Sequence, residues 1–186
     1  MFIQTEQTPN PATLKFLPGR SVLESGTADF TTADDAAERS PLAARLFGVD
    51  GVAAVFLGSD FITITKSSDK EWFVMKPAVL GAIMEHMTTD QPIMSKSVTD
   101  MDAHVTGEEE SEVVDQIKEL IETRVRPAVA QDGGDIVFQG FDEGVVFLQL
   151  RGACAGCPSS TMTLKMGIEN MLKHYIPEVT EVRAAM

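Results

Sequence analysis

Asp132-Gly133-Gly134-Asp135, the apolar runs Ile136 to Gln139 and Val145 to Arg151, and then Gly152-Ala153-Cys154-Ala155-Gly156-Cys157-Pro158 form the stretch on which the fold of this chain turns. Two glycines between aspartates end whatever precedes them and turn the chain. The two short runs flank Gly140 to Gly144 and read as paired strands. Upstream, Val113, Ile117, Leu120, Ile121 and Val125 recur at helical spacing, which predicts an amphipathic helix from about Ser111 to Arg126 or beyond. Downstream, Leu164, Ile168, Met171, Leu172 and Tyr175 share one face of a second helix that Pro177 stops, and Val179 to Arg183 suits a last short strand. The order helix, strand, strand, helix, strand predicts a small α+β unit.

Cys154 and Cys157 are the only two cysteines of the 186 residues. Their C-x-x-C spacing in a glycine-flanked loop points to metal or redox chemistry. The order of elements puts them between a strand end and a helix start, with Ser159 or Ser160 as the expected N-cap. A helix amino terminus offers unpaired amide donors and partial positive charge, which favour thiolates and an anionic metal cluster. Gly152 and Gly156 let backbone approach sulfur, while Arg151 and Lys165 read first as a strand end and a helix surface. Two thiolates are too few for a zinc site of four ligands or for an iron-sulfur cluster held by four cysteines. His86, His104 and His174 lack ligand spacing and read as single surface or core residues. Two copies about a two-fold axis would bring four thiolates to one point. A thiol–disulfide oxidoreductase and a structural zinc bridging two subunits fit the same local pattern. Against the former, Ala155 and Gly156 separate the cysteines, no tryptophan precedes them, and no β-α-β unit surrounds them.

The first half of the chain has its own pattern. Phe2 to Thr8 and Thr13 to Leu17 read as strands about the Pro9-Asn10-Pro11 turn, and Ser40 to Phe47 as a short helix with Ser40 as N-cap and Pro41 at its first position. Val52 to Leu57 and Phe61 to Lys66 form a hairpin pattern across Gly58-Ser59-Asp60, with Ile62 and Ile64 on one face and Thr63 and Thr65 on the other. A helix is expected over much of Glu71 to Met87, started or kinked by Pro77. Between about Thr88 and Glu110 the sequence turns polar and loses periodicity, which reads as a linker. The expected division is a first domain over 1–88, a linker over 89–110 and a second domain over 111–186, both domains small and mixed in helix and strand.

With 15 basic and 28 acidic residues the formal charge is −13, which repels nucleic acid and anionic membranes at long range. The excess is spread evenly, with 8 basic and 14 acidic residues up to Thr106 and 7 and 14 beyond. No apolar run approaches the ~20 residues of a membrane span. Met1-Phe2-Ile3-Gln4-Thr5-Glu6 has the character of neither a secretory signal nor a transit peptide. These features lead to the expectation of a reducing, cytoplasmic protein with unbridged thiols, a processed organellar relative having the same appearance.

Asp132-Gly133-Gly134-Asp135-Ile136, Arg151 through Thr161 and Thr163-Leu164-Lys165-Met166-Gly167-Ile168-Glu169 together resemble the C-terminal domain of NifU and its Nfu relatives. Gln4-Thr5-Glu6, Thr8-Pro9-Asn10-Pro11, Leu14-Lys15-Phe16-Leu17-Pro18-Gly19 and Asp60 through Lys66 resemble the Nfu N-terminal domain, so the resemblance covers nearly the whole chain apart from the linker. It implies a non-enzymatic iron-sulfur scaffold or carrier in which Cys154 and Cys157 of each of two subunits hold a [4Fe-4S] cluster from exposed loops, with a [2Fe-2S] form left open. The partners it implies are a second copy of the chain, upstream assembly proteins that supply the cluster, and apo iron-sulfur clients that receive it.

Overall fold

A computed structural model describes residues 2–95, 112–155 and 158–185, the side chains of residues 158–160 excepted. The chain divides into two compact units, Met1–Asp102 and Ala103–Met186. Helices and sheets are mixed in both, as the α+β expectation has it.

In the first unit, β1 (Gln4–Gln7), β2 (Thr13–Leu17), β3 (Ala28–Phe30), β4 (Val52–Leu57) and β5 (Ile62–Lys66) form an antiparallel sheet in the order β1-β2-β5-β4-β3. The helices are α1 (Ala33–Arg39), α2 (Pro41–Phe47) and α3 (Trp72–Thr88). Ser40 ends α1 and caps α2, its Oγ accepting from Ala43 N–H and donating to the Ile93 carbonyl. Pro77 lies inside α3 rather than at its start. The proline removes one N–H from the ladder, a local loss that the flanking turns tolerate because Met75, Val79 and Ile83 anchor the helix in the core. Phe16, Phe30, Leu42, Leu46, Val55, Ile62 and Ile64 fill that core. The stretch read as linker starts as packed chain: Ile93 and Met94 lie against the core, and Ser95 N–H donates to the Arg39 carbonyl. The rest of it, from residue 96, lies outside the described residues.

In the second unit, α4 (Glu112–Leu120) runs through a π-helical turn, Ile121–Val125, into α5 (Arg126–Gln131). Pro127 explains the wide turn, since its missing N–H interrupts the regular ladder at this point. Ile117, Ile121, Val125 and Val129 give the helical run one buried face. β6 (Gly134–Asp142) and β7 (Val145–Gly152) pair antiparallel around a two-residue turn in which Glu143 and Gly144 both have positive φ, 47° and 84°. The strands are longer than their apolar runs, and a register shift near Gly140 absorbs one residue. α6 (Pro158–Tyr175) follows, and β8 (Glu181–Ala184) returns parallel to β7, giving the sheet order β6-β7-β8. This is the expected helix, strand, strand, helix, strand sequence.

Candidate functional site

The site is built where the β6–β7 ladder ends. Gly134 and Gly152 form its last pair, and the chain leaves β7 at Gly152 with φ 64°, a left-handed conformation that suits glycine. Ala153 N–H then donates to the Gly133 carbonyl at 3.1 Å and Ala155 N–H to the Gly152 carbonyl at 3.1 Å, closing a tight loop on the Asp132–Asp135 turn. Gly133, at φ 79°, makes that turn. Gly134 has a different task. A Cβ placed on it would stand 2.4 Å from Cys154 Sγ, 2.9 Å from the Arg151 carbonyl oxygen and 3.0 Å from Cys154 N. The sulfur therefore rests in a cradle that only a residue without a side chain can leave open.

Cys154 is 7% exposed and belongs to the hydrophobic core of the second unit. The expectation of a thiol on an exposed loop is corrected here: the loop folds back over the end of the sheet and turns this sulfur inward. Thr161 Oγ1 donates to the Cys154 carbonyl at 3.3 Å and fastens the first turn of α6 to the loop. Cys157, the other candidate ligand, and Gly156 lie outside the described residues. Ser159 and Ser160 are corrected from cap to helix, because α6 already begins at Pro158 and the cap position precedes it.

Beneath the loop lies a charged clamp that the sequence does not announce. Arg126 Nε and Nη2 donate to Asp135 Oδ1 and Oδ2, both at 2.9 Å, and Arg126 Nη1 donates to Glu122 Oε2 at 2.7 Å. Asp135 Oδ1 also accepts from Ile136 N–H at 2.8 Å. The Asp135 hydrogen bonds, against the cost of burial, hold the Arg126 guanidinium protonated well above its ordinary range. The fork joins α5 to the first residues of β6 and so fixes the turn on which Cys154 sits. Asp135 is thus a structural carboxylate.

The remaining candidates are not gathered at this loop. His86 is buried in the first unit, His174 stacks edge-on against Tyr175 at a ring separation of 5.0 Å, and His104 lies outside the described residues. Among the described residues, no three His, Cys, Asp or Glu side chains converge on a metal position. Arg151 donates from Nε and Nη2 to Gln149 Oε1 at 3.4 and 3.2 Å, as a strand-end residue. Lys165 lines a shallow hollow with Leu148, Leu150, Ile168, Val182 and Arg183. No described helix is long and apolar enough to cross a membrane.

Both halves of the chain match known protein families. Residues 3–90 match the family described as scaffold protein Nfu/NifU N terminal, and residues 117–183 match the NifU-like domain. The human protein named NFU1 iron-sulfur cluster scaffold homolog, mitochondrial, is 50% identical over 187 residues, covering 100% of this chain and 72% of its own length. NifU-like protein 4, mitochondrial, of Arabidopsis thaliana is 51% identical over 186 residues, covering 98% of this chain and 65% of its own. The solution structure of a NifU-like protein from Saccharomyces cerevisiae matches 52% of this chain and 86% of its own at 27% identity and a TM-score of 0.46. The cytoplasmic expectation does not stand beside the human, Arabidopsis and Drosophila relatives, whose names all carry the word mitochondrial, and it is withdrawn. Reducing surroundings, which the expectation of unbridged thiols calls for, are not peculiar to the cytoplasm. With both halves matched in order and half of all residues shared across the chain, this protein belongs to the NifU-like family, in the form that joins an Nfu N-terminal domain to a NifU-like domain.

Proposed function

We propose that this protein carries an iron-sulfur cluster as cargo, held by Cys154 and Cys157 of two copies of the chain as one [4Fe-4S] unit, and hands it to apo proteins. The observation that carries the reading is the seat of Cys154: a sulfur set into a glycine cradle at the strand-to-helix loop, in a chain whose only other cysteine is three residues away. The names of the human and Drosophila relatives, which include the words iron-sulfur cluster scaffold, support the cargo. A buried sulfur is poorly placed for in-line attack on an external disulfide, which weighs against a dithiol reductase. A thiolate bound to metal gives up its charge to the ion and tolerates that setting better. The role is non-enzymatic: the chain supplies ligands, and the donor and the client supply the chemistry before and after. The division into 1–88, 89–110 and 111–186 assigns cargo binding to the second domain and partner choice to the cysteine-free first.

Transfer follows from the ligand count. Each chain contributes two of four thiolates, so a client thiol that replaces one protein thiolate takes a quarter of the ligand set, and loss of a pair separates the copies. Anaerobic reconstitution with iron and sulfide tests this directly. About two iron and two sulfide per chain in a dimer are expected, with Mössbauer spectra distinguishing one four-iron cluster from two [2Fe-2S] clusters. Full cluster retention by Cys157→Ser overturns the ligand assignment. Tightly held zinc would return the structural bridge, and a metal-free monomer with a reversible disulfide would return the oxidoreductase.

A further inference from the structure

We infer that the outward face of the first turns of α6, Met162 and Met166 with Thr163 and Gly167, is the surface that a second copy of this chain covers when two cysteine pairs meet on one cluster. The inference rests on the shared-cluster reading, because a half-site with two thiolates is incomplete until a second copy arrives. Met162 and Met166 are 67% and 59% exposed, and their four-residue spacing puts them one above the other on one helix face. They stand about 6 and 12 Å of helix rise beyond Pro158, in the helix that Thr161 fastens to the Cys154 carbonyl. Thr163 and Gly167 share that exposed face.

Charge points to the same occupant. At −13 per chain, two copies repel one another and must meet where neither is locally acidic. From Gly144 to Ile168 there is no aspartate or glutamate, the longest such run in the sequence, while Arg151 and Lys165 lie within it. The cysteine loop and the methionine face both fall inside this run. The run itself contributes no carboxylate to this surface, and Glu169 and Glu181, which lie near Lys165, are each matched to a cation, Lys173 and Arg183.

Gly167 adds a packing argument. A glycine in a helix interior weakens the helix relative to alanine, and nothing within 4 Å would meet a Cβ at this position. The packing of the unit itself therefore does not demand glycine there. A closely approaching backbone does, and the flanking methionines, unbranched and adaptable, can repack around it.

The test uses the full chain carrying Met162→Glu with Met166→Glu, reconstituted without oxygen beside the wild type, with iron per chain and sedimentation mass as readouts. The expected result is a cluster-dependent dimer at least tenfold weaker than wild type, with the far-ultraviolet dichroism of the apo chain unchanged. Should the double variant melt early, Gly167→Leu carries the same expectation, since the new side chain meets open space in a single copy. Iron loading and dimerisation equal to wild type would overturn the assignment. So would a variant that loads and dimerises normally but delivers its cluster slowly to an apo ferredoxin, which would give the face to the client. A wild type that takes up no iron would instead remove the shared-cluster reading itself, an outcome distinct from a failure confined to the variant.

Discussion

The first unit backs a five-stranded sheet with Phe16, Phe30, Leu42 and Leu46, whereas the second closes three strands over a core that includes Cys154 and leans on the Arg126–Asp135 ion pair. In the first unit apolar volume does the holding, and no residue proposed to bind cargo is part of it. In the second, a position that an aliphatic side chain might have filled goes to a sulfur, and a charged fork fixes the turn beside it. Stability and the geometry of the proposed ligand therefore share contacts in the second unit. A change that loosens its turn should be read out both as lost protection and as lost cluster, a coupling that the first unit's core residues do not have.

The largest expected effect on this contrast comes from Asp135→Asn. Arg126 would keep Glu122 but lose the buried carboxylate that faces it, since the amide oxygen of asparagine accepts only one of the two bonds and its nitrogen accepts none. Breaking such a pair by removing one partner costs about 3 kcal/mol. Amide exchange should quicken through β6 and β7, and iron retention should fall with it, while the β1–β5 sheet keeps its protection. Unchanged exchange at Ile136, whose N–H Asp135 also accepts, would show that the turn stands without the clamp.

Gly134→Ala is expected to cost about 2 kcal/mol, within the usual range for overpacking a filled site. The added Cβ meets a movable sulfur at 2.4 Å but also a backbone oxygen at 2.9 Å, so the loop has to shift. The substitution costs less stability than Asp135→Asn and more cluster per unit of stability lost, because it displaces the proposed ligand atom itself. Cluster half-life under a chelator, plotted against unfolding free energy for both variants, sharpens the comparison. If the two fall on one line, the cradle has no role beyond folding.

How much of this could be read in advance follows from the range of each interaction. The hairpin of β4 and β5 was legible because Ile62 and Ile64 alternate with threonines, and both isoleucines are fully buried. The alternation does not show that Thr63 on the other face is buried too, beside its cross-strand partner Phe56 and the neighbouring Phe61. β3 has three residues and α1 buries only Ala36, so neither shows a period, although Thr32 and Asp35 at cap spacing mark where α1 starts. At the site, the C-x-x-C and the two glycines were visible as local patterns. The cradle was not, because the contact of Gly134 with Cys154 arises only when β6 and β7 pair, and nothing in the chain between Arg126 and Asp135 signals that they form an ion pair.

The smallest effect near neutral pH, and one that grows as pH falls, belongs to His86 in the first unit. His86 is 1% exposed, and among the described residues neither ring nitrogen finds a hydrogen-bond partner; backbone groups of Pro92 and Gln91 come near without reaching that geometry. Burial first, and the Arg45 guanidinium second, push its pKa below the usual 6.5, with those backbone groups opposing. Arg45 is itself paired with Glu85 at 2.9 Å, so the ring faces a cation already matched to a carboxylate. A histidine held neutral by the fold contributes its full stability above its unfolded pKa and loses it as pH drops through 6.5 and below, because the unfolded chain then binds the proton more readily. The first unit should therefore weaken as pH falls below 6.5, opening first where the backbone of Gln91 and Pro92 lies beside the ring. His86→Phe should flatten that pH slope without touching the iron binding proposed for the second unit. An imidazole titration by NMR that placed the His86 midpoint above 6.5 would reverse the sign, and with it the view that this core tolerates a polar ring only as an uncharged one.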